Sequence, residues 1–356
     1  MDKVERPLGP LVVDISGTTL TNEEIKTLQH PLVGMVILFT RNFENIEQLR
    51  TLTHDIHALR NPPLLIGVDH EGGRIQRFRQ GFTQIPSMKS LGELYDTDPQ
   101  RAHALTGACG LVMAAELRAC EVDFTFAPCL DLDYGQSTVI GNRSFHRNPK
   151  VVSILSTALI CGMAEAGMAN CGKHFPGHGY AKADSHIELP EDDRPLSDIR
   201  SNDEAPYQSL GTLLTSVMPA HVVYPQVDSS PAGFSKKWLK DELRGRLGFN
   251  GLIFSDDLSM KGAAEVGDIT ARCEAALSAG CDMVLICNDP EGVSKVLSNQ
   301  RWIRTKLFDE RLGRLQPKGK FPSREGLVLS SNYQACVKLI NDFNVELAKK
   351  DSNQSI

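Results

Sequence analysis

The chain has 356 residues, 41% of them hydrophobic and 23% charged, an ordinary globular composition with enough length for a full-sized core. Its net charge of −6 comes without a basic block, so nothing favours a nucleic-acid partner. No apolar run is long enough to cross a bilayer, and no membrane partner is expected.

The segment Met1-Asp2-Lys3-Val4-Glu5-Arg6-Pro7 is charged and lacks the apolar stretch of a secretory signal. The nine cysteines form no CxxC pair, and Cys129, Cys281 and Cys287 fall within apolar runs. They read as small buried hydrophobes of a reducing compartment, which makes the cytoplasm the expected location.

In chain order, short apolar runs at 10–15, 33–39, 64–68, 124–130, 169–172, 214–219, 252–255 and 282–287 fit buried parallel strands. Most are continuously apolar, as expected when both faces of a strand are covered. Helix-like segments alternate with them. Thr21-Asn22-Glu23-Glu24 and Asn45-Ile46-Glu47-Gln48 resemble capping boxes, and 102–117, 151–166, 236–247 and 269–279 complete the better helices. This alternation predicts an α/β fold, a (β/α)8 TIM barrel, as a single domain over 1–345 with a polar tail over 346–356. A doubly wound open sheet is the main competitor. Neither GxGxxG after the first strand nor a phosphate-binding Walker loop is present, which weakens a nucleotide-binding reading. The stretch between Gly179 and Ser209 is rich in Asp, Pro and Ser and reads as a long loop.

A barrel places its chemistry at the C-terminal ends of the strands. Strand three ends in Val68-Asp69-His70-Glu71-Gly72-Gly73, with Arg74 and Arg77 beyond. Strand four leads to Asp131-Leu132-Asp133 and then Gly141-Asn142-Arg143. Strand six ends in Met218-Pro219-Ala220-His221, strand seven in Ser255-Asp256-Asp257, and strand eight in Cys287-Asn288-Asp289. Any one of these could be an ordinary loop cap or surface arginine. Their joint occurrence at one face points to a polar pocket, because charged side chains are seldom buried without partners.

The densest stretch follows strand five: Gly172-Lys173-His174-Phe175-Pro176-Gly177-His178-Gly179, then Asp184-Ser185-His186. Gly and Pro shape an irregular loop there, and an Asp two residues before a His can orient the imidazole and raise its basicity. Lys173, Arg77 and Arg143 suit a hydroxyl-rich or anionic ligand, and Asp69 can accept hydrogen bonds from sugar-type hydroxyls. Asp256 follows an apolar strand and is the best nucleophile candidate, with a separate acid/base group as in retaining glycoside hydrolysis. Strand direction alone does not tell whether Asp256 or Asp257 faces the pocket.

Together these motifs resemble the glycoside hydrolase family 3 β-N-acetylhexosaminidases of the single-domain bacterial type, over nearly the whole chain to about residue 330. The resemblance rests on 173–179, on 184–186, on Phe254-Ser255-Asp256-Asp257-Leu258-Ser259-Met260, and on 67–73 and 218–221. It implies Asp256 as nucleophile and His186 as acid/base, held by Asp184. It implies Asp69, Arg77, Arg143, Lys173 and His174 as the grip on N-acetylglucosamine, with Asp131 a weaker candidate and His178 structural. The implied reaction removes non-reducing N-acetylglucosamine from muropeptides carrying 1,6-anhydro-N-acetylmuramic acid, in cytosolic peptidoglycan recycling. No cofactor, metal or macromolecular partner is implied, and a monomer is expected. One departure stands out. Ile187-Glu188-Leu189-Pro190-Glu191-Asp192-Asp193 is more acidic than expected of relatives and could alter loop motion or leaving-group preference.

Two other readings compete. A metal-dependent barrel hydrolase would use His174, His178, Asp184 and His186 as ligands. A non-catalytic amino-sugar-binding protein would hold the sugar without turning it over.

Overall fold

The computed structural model describes residues 4–182, 189–299, 301–320 and 322–354. All eight expected strands form: β1 Leu11–Val13, β2 Val33–Leu38, β3 Leu65–Val68, β4 Phe124–Thr125, β5 Cys171–Phe175, β6 Ser216–Pro219, β7 Leu252–Asp257 and β8 Met283–Ile286. They pair in the order β4-β3-β2-β1-β8-β7-β6-β5, every pairing parallel. The ends of this order meet. Bridges Phe124↔Ala169 and Cys129↔Lys173 join β4 to β5, with Leu130 N donating to Lys173 O at 2.7 Å. The sheet is therefore closed into a barrel, and the open doubly wound alternative is excluded.

The strands read as apolar because helices cover them outside and side chains fill them inside. Phe124 and Phe126 come from β4 and its extension, and Phe254 comes from β7. Those strands are not neighbours in the sheet, so the rings meet across the barrel interior. Their centroids lie 5.1 Å (Phe124–Phe126), 5.8 Å (Phe124–Phe254) and 5.1 Å (Phe126–Phe254) apart. All three rings are fully buried. This aromatic layer closes the barrel beneath the C-terminal face.

Helix starts follow the sequence signals, with one correction. Thr21 and Glu24 form a reciprocal capping box at helix Asn22–Leu28. At helix Ile46–Ala58, Asn45 caps Gln48 N, but the Gln48 side chain accepts from Glu44 N and not from Asn45 N. The expected loop over 179–209 is partly helical, with short helices Leu196–Ser201 and Ala205–Leu210. The expected polar tail continues helix Ser331–Gln354, which Arg101 tethers through Glu346 at 2.6 Å. Helices Pro99–Arg118 and Pro149–Glu165 approach closely: a Cβ on Gly110 would lie 2.1 Å from Leu159 O.

His57 fastens helix Ile46–Ala58 to the base of β4. Its Nε2 lies 2.9 Å from an Asp123 carboxylate oxygen, which also accepts from Ile66 N at 2.8 Å. Burial opposes the imidazolium, yet the hydrogen bond to Asp123 and the neighbouring Glu121 outweigh it and raise His57 from 6.5 to about 9. A raised histidine stabilises the fold fully below its unfolded value and loses that contribution as pH rises through the folded one. His57→Gln is therefore expected to lower the melting temperature at pH 6, with the gap to wild type closing between pH 6.5 and about 9. Thermal denaturation across that range checks it, and a gap that does not change with pH would contradict it.

Candidate active site

The strand ends converge on a cavity of ≈ 200 Å³. Phe126, Ile37, Met218 and Leu285 give it an apolar base, and its polar lining includes Asp69, Glu71, Arg77, Arg143, Lys173, His174, His178, Asp256 and Asp257. The structure thus brings together Asp69, Arg77, Arg143, Lys173, His174 and Asp256, all singled out from the sequence. Asp184 and His186 lie outside the described residues.

Lys173 is the hub of the polar lining. It sits within β5, past the strand end expected from sequence, with only 2% of its surface exposed. Its Nζ lies 2.8 Å from Asp69 Oδ1 and 2.7 Å from Glu71 Oε1, and 5.9 Å from the Phe126 ring centroid. Glu71 is also gripped by Arg143, whose Nε and Nη2 donate to its two oxygens at 2.9 and 2.8 Å. Arg77 approaches Asp69 Oδ2 at 3.8 Å. Burial alone would raise Glu71, but the Arg143 and Lys173 cations outweigh it and hold the carboxyl well below its ordinary range. Burial likewise opposes the Lys173 ammonium, and Asp69 and Glu71 raise it above its ordinary value. Glu71 and the two cations that grip it, Lys173 and Arg143, are thereby charged near neutral pH.

A second carboxylate organises the loop after β5. Asp131 Oδ2 lies 2.7 Å from His174 Nδ1, and its Oδ1 accepts from the His178 backbone N at 2.6 Å. His174 Nε2 faces Arg143 Nη2 at 3.5 Å. A guanidinium can only donate, so Nε2 is the acceptor and the ring proton sits on Nδ1, toward Asp131. Desolvation would raise Asp131, yet His174 and the surrounding donors hold it below the ordinary carboxylate range. Asp131, a weaker candidate from sequence, therefore acts as the strut that aims His174. His178 also lines the cavity, and its backbone anchors the loop to Asp131.

Asp256 and Asp257 end β7 with different duties. The Asp257 carboxylate accepts from Ser259 N at 3.0 Å, Ser259 Oγ at 2.7 Å and Cys287 N at 3.1 Å. Burial pushes it up to about 6. It ties the end of β7 to the end of β8. Asp256 accepts from the Asp257 backbone N at 2.8 Å and lines the cavity. His221, also noted at a strand end, stacks on Phe234 and donates Nε2 to Asp257 O at 3.0 Å, supporting the same turn.

The acidic stretch is divided where it is described: Glu191 and Asp193 are exposed, whereas Asp192 turns inward. Asp192 is fully buried and paired with Arg194, whose Nε lies 2.9 Å from Asp192 Oδ1. Arg194 also reaches Asp203 at 2.9 Å and lies over the rings of Tyr180 and Tyr134, at 4.2 and 4.7 Å from their centroids. The chain is clamped here at residues 192–194.

Among the described residues, Cys129, Asp131 and His174 bring three ligand-type atoms within 4.8 Å of one another. These atoms already satisfy each other. His174 and Asp131 share a direct hydrogen bond, and burial pushes the Cys129 thiol far up, so it donates to Asp131 at 3.2 Å as a protonated group. A metal ligand would need the thiolate. This set fits a hydrogen-bonded strut better than a metal centre.

A closed (β/α)8 barrel with a cation–carboxylate lattice at its C-terminal face has the donors and acceptors to hold a hydroxyl-rich ligand. The glycosyl hydrolase family 3 N-terminal domain pattern matches residues 5–317, and the chain belongs to that family. A β-hexosaminidase of Bordetella avium is 58% identical over 330 residues, covering 92% of this chain and 94% of that protein. A β-hexosaminidase of Nitrosospira multiformis is 52% identical over 339 residues, covering 95% of this chain and 97% of that protein. The crystal structure of native NagZ from Neisseria gonorrhoeae superposes with a TM-score of 0.90 at 46% identity, covering 95% of this chain and 98% of that one. The same enzyme has been crystallised with N-trifluoroacetyl-D-glucosamine, at a TM-score of 0.90 to this chain.

Glu71 was given no role from sequence, although it lies in the strand-three motif beside Asp69. Its signal was the proximity of two cations that only the fold brings to it. Glu71→Ala would leave Lys173 and Arg143 without their shared counter-charge, and about 3 kcal/mol of stability is expected to be lost. Denaturant unfolding reads that loss. Glu71→Gln keeps the shape and is expected to lower kcat/KM at least about tenfold, because the cavity-facing Lys173 and Arg143 lose their fixed positions.

Proposed function

We propose that this chain is a retaining exo-β-N-acetylglucosaminidase. It removes non-reducing N-acetylglucosamine from saccharides ending in 1,6-anhydro-N-acetylmuramic acid, with or without a peptide, and serves cytoplasmic peptidoglycan recycling as a monomer. The observation that carries the reading is the position of Asp256. It lies at the C-terminal end of β7, at the wall of a cavity whose polar lining is cross-braced by ion pairs and hydrogen bonds.

In this reading the sugar lies over Phe126, with hydroxyls shared among Asp69, Arg77, Arg143, Lys173 and His174. Asp256 attacks the anomeric carbon while His186 protonates the departing glycosidic oxygen, giving a covalent glycosyl–Asp intermediate. His186 then takes a proton from water, which attacks the same carbon and releases the sugar with its β configuration retained. Asp184 orients the imidazole and stabilises its protonated form. The names of the β-hexosaminidase relatives and the sugar-derivative complex of the gonococcal enzyme support the choice of an N-acetylhexosamine.

Asp256→Ala is expected to abolish turnover with an unchanged circular dichroism spectrum. His186→Ala is expected to lose far more activity on an anhydro-muropeptide, whose leaving group needs a proton, than on an activated aryl N-acetyl-β-glucosaminide. Equal losses on both substrates would remove His186 as the acid. Absence of turnover of either substrate by wild type would support a binding protein, and loss of activity on chelation would support the metal-dependent reading.

A further inference from the structure

Two described limbs flank the segment that carries Asp184 and His186: residues 175–182 before it and residues 189–194 after it. Both limbs rest on the chain that follows β6. Val223 N donates to Pro190 O at 3.0 Å, and Asp192 N donates to Val223 O at 2.9 Å. The next residue, the fully buried Tyr224, donates its hydroxyl to Gly177 O at 2.7 Å. Adjacent residues thus hold one limb each.

Arg194 completes the junction, with its side chain 11% exposed. Its Nε lies 2.9 Å from Asp192 Oδ1 on its own limb, and its Nη1 donates to Asp203 Oδ2 at 2.9 Å. Tyr134, from the loop beyond β4, donates to the same Asp203 oxygen at 2.8 Å. The other Asp203 oxygen packs against the opposite limb: a Cβ on Gly177 would lie 2.6 Å from it. The guanidinium also lies 4.2 Å from the ring centroid of Tyr180 on that opposite limb, and Tyr180 meets Tyr134 edge to face at 5.3 Å. One cation therefore touches its own limb, the facing limb and the buried carboxylate packed against both. Tyr180 stands four positions before Asp184, and Arg194 eight positions after His186. Neither Arg194, Tyr180, Asp192 nor Asp203 lines the catalytic cavity.

We propose that Arg194 is a positioning residue for the acid/base. By tying the two limbs to each other and to Asp203, it fixes the ends of the segment that presents His186 to the glycosidic oxygen. The inference rests on the assignment of His186 as the acid in the proposed function, and adds what sets its reach. Proton transfer is steeply sensitive to placement, and a misplacement of roughly 1 Å can cost about a hundredfold in rate. Arginine suits the task because its planar fork serves two carboxylates while its face lies on an aromatic ring, which an ammonium cannot do.

The test measures kcat/KM for aryl N-acetyl-β-glucosaminides with leaving groups from dinitrophenol to phenol. It compares wild type, Arg194→Gln, Tyr180→Leu, His186→Ala, and each of the first two substitutions combined with His186→Ala. Arg194→Gln is expected to lose at least about tenfold on the phenyl glycoside and less than about threefold on the dinitrophenyl one, which needs little protonation. Tyr180→Leu leaves the ion pairs of Arg194 in place and is expected to show the same trend with a smaller loss. In the His186→Ala background either substitution should cost almost nothing further, because the group it positions is gone. Losses that are equal for every leaving group, or undiminished in the His186→Ala background, would mean a general structural role and overturn the proposal. Should Arg194→Gln fail to fold, the Tyr180→Leu pair carries the same comparison. Absence of leaving-group dependence in His186→Ala itself would instead contradict the acid assignment, and the inference with it.

Discussion

A lysine ammonium cannot be buried above an aromatic layer unless carboxylates surround it, and that requirement organises the top of this barrel. Lys173 belongs to β5, Asp69 and Glu71 follow β3, and Arg143 comes from the loop beyond β4. The cluster therefore stitches together segments far apart in sequence. It can form only if the sheet closes, because β4 and β5 stand at opposite ends of the strand order and meet through the bridge at Cys129 and Lys173. The fold and the site depend on the same closure.

Such a lattice costs desolvation energy and would be a poor choice for stability alone. Its value lies in preorganisation. In the proposed reading, a sugar entering the cavity meets donors and acceptors that are already held in place by one another. Asp131 extends the same logic to His174 by setting its tautomer. Asp257 and His221 extend it to the turn that carries Asp256. Glu71 behind Lys173 and Arg143, and Asp131 behind His174, are buried carboxylates that decide where the outer groups can point.

Much of this was legible in the sequence. Buried parallel strands are continuously apolar, so all eight appeared as runs, and the groups at their ends marked the face that carries the polar cavity. What was not legible depended on contacts between distant residues. Glu71 looked like a loop residue until the fold placed two cations against it. The Asp256–Asp257 pair was ambiguous by strand direction, and the hydrogen bonds of Asp257 to Ser259 and Cys287 separate their duties. The acidic run over 187–193 read as a departure that could alter loop motion, and nothing local revealed that Asp192 would be buried against Arg194. At Gln48 the expected reciprocal cap was displaced by a competing donor one residue away, the Glu44 amide.

The central claim is that the rigid carboxylate at the end of β7 forms a bond to the sugar. Incubation with a fluorinated N-acetylglucosaminyl donor, which slows breakdown of a glycosyl–enzyme species, followed by proteolysis and mass spectrometry, tests it most directly. The account predicts one added sugar per chain, carried on the peptide containing Phe254-Ser255-Asp256-Asp257 and localised by fragmentation to Asp256. An adduct on Asp257 or on any other residue would contradict it. So would rapid turnover to the α-anomer with no adduct at all.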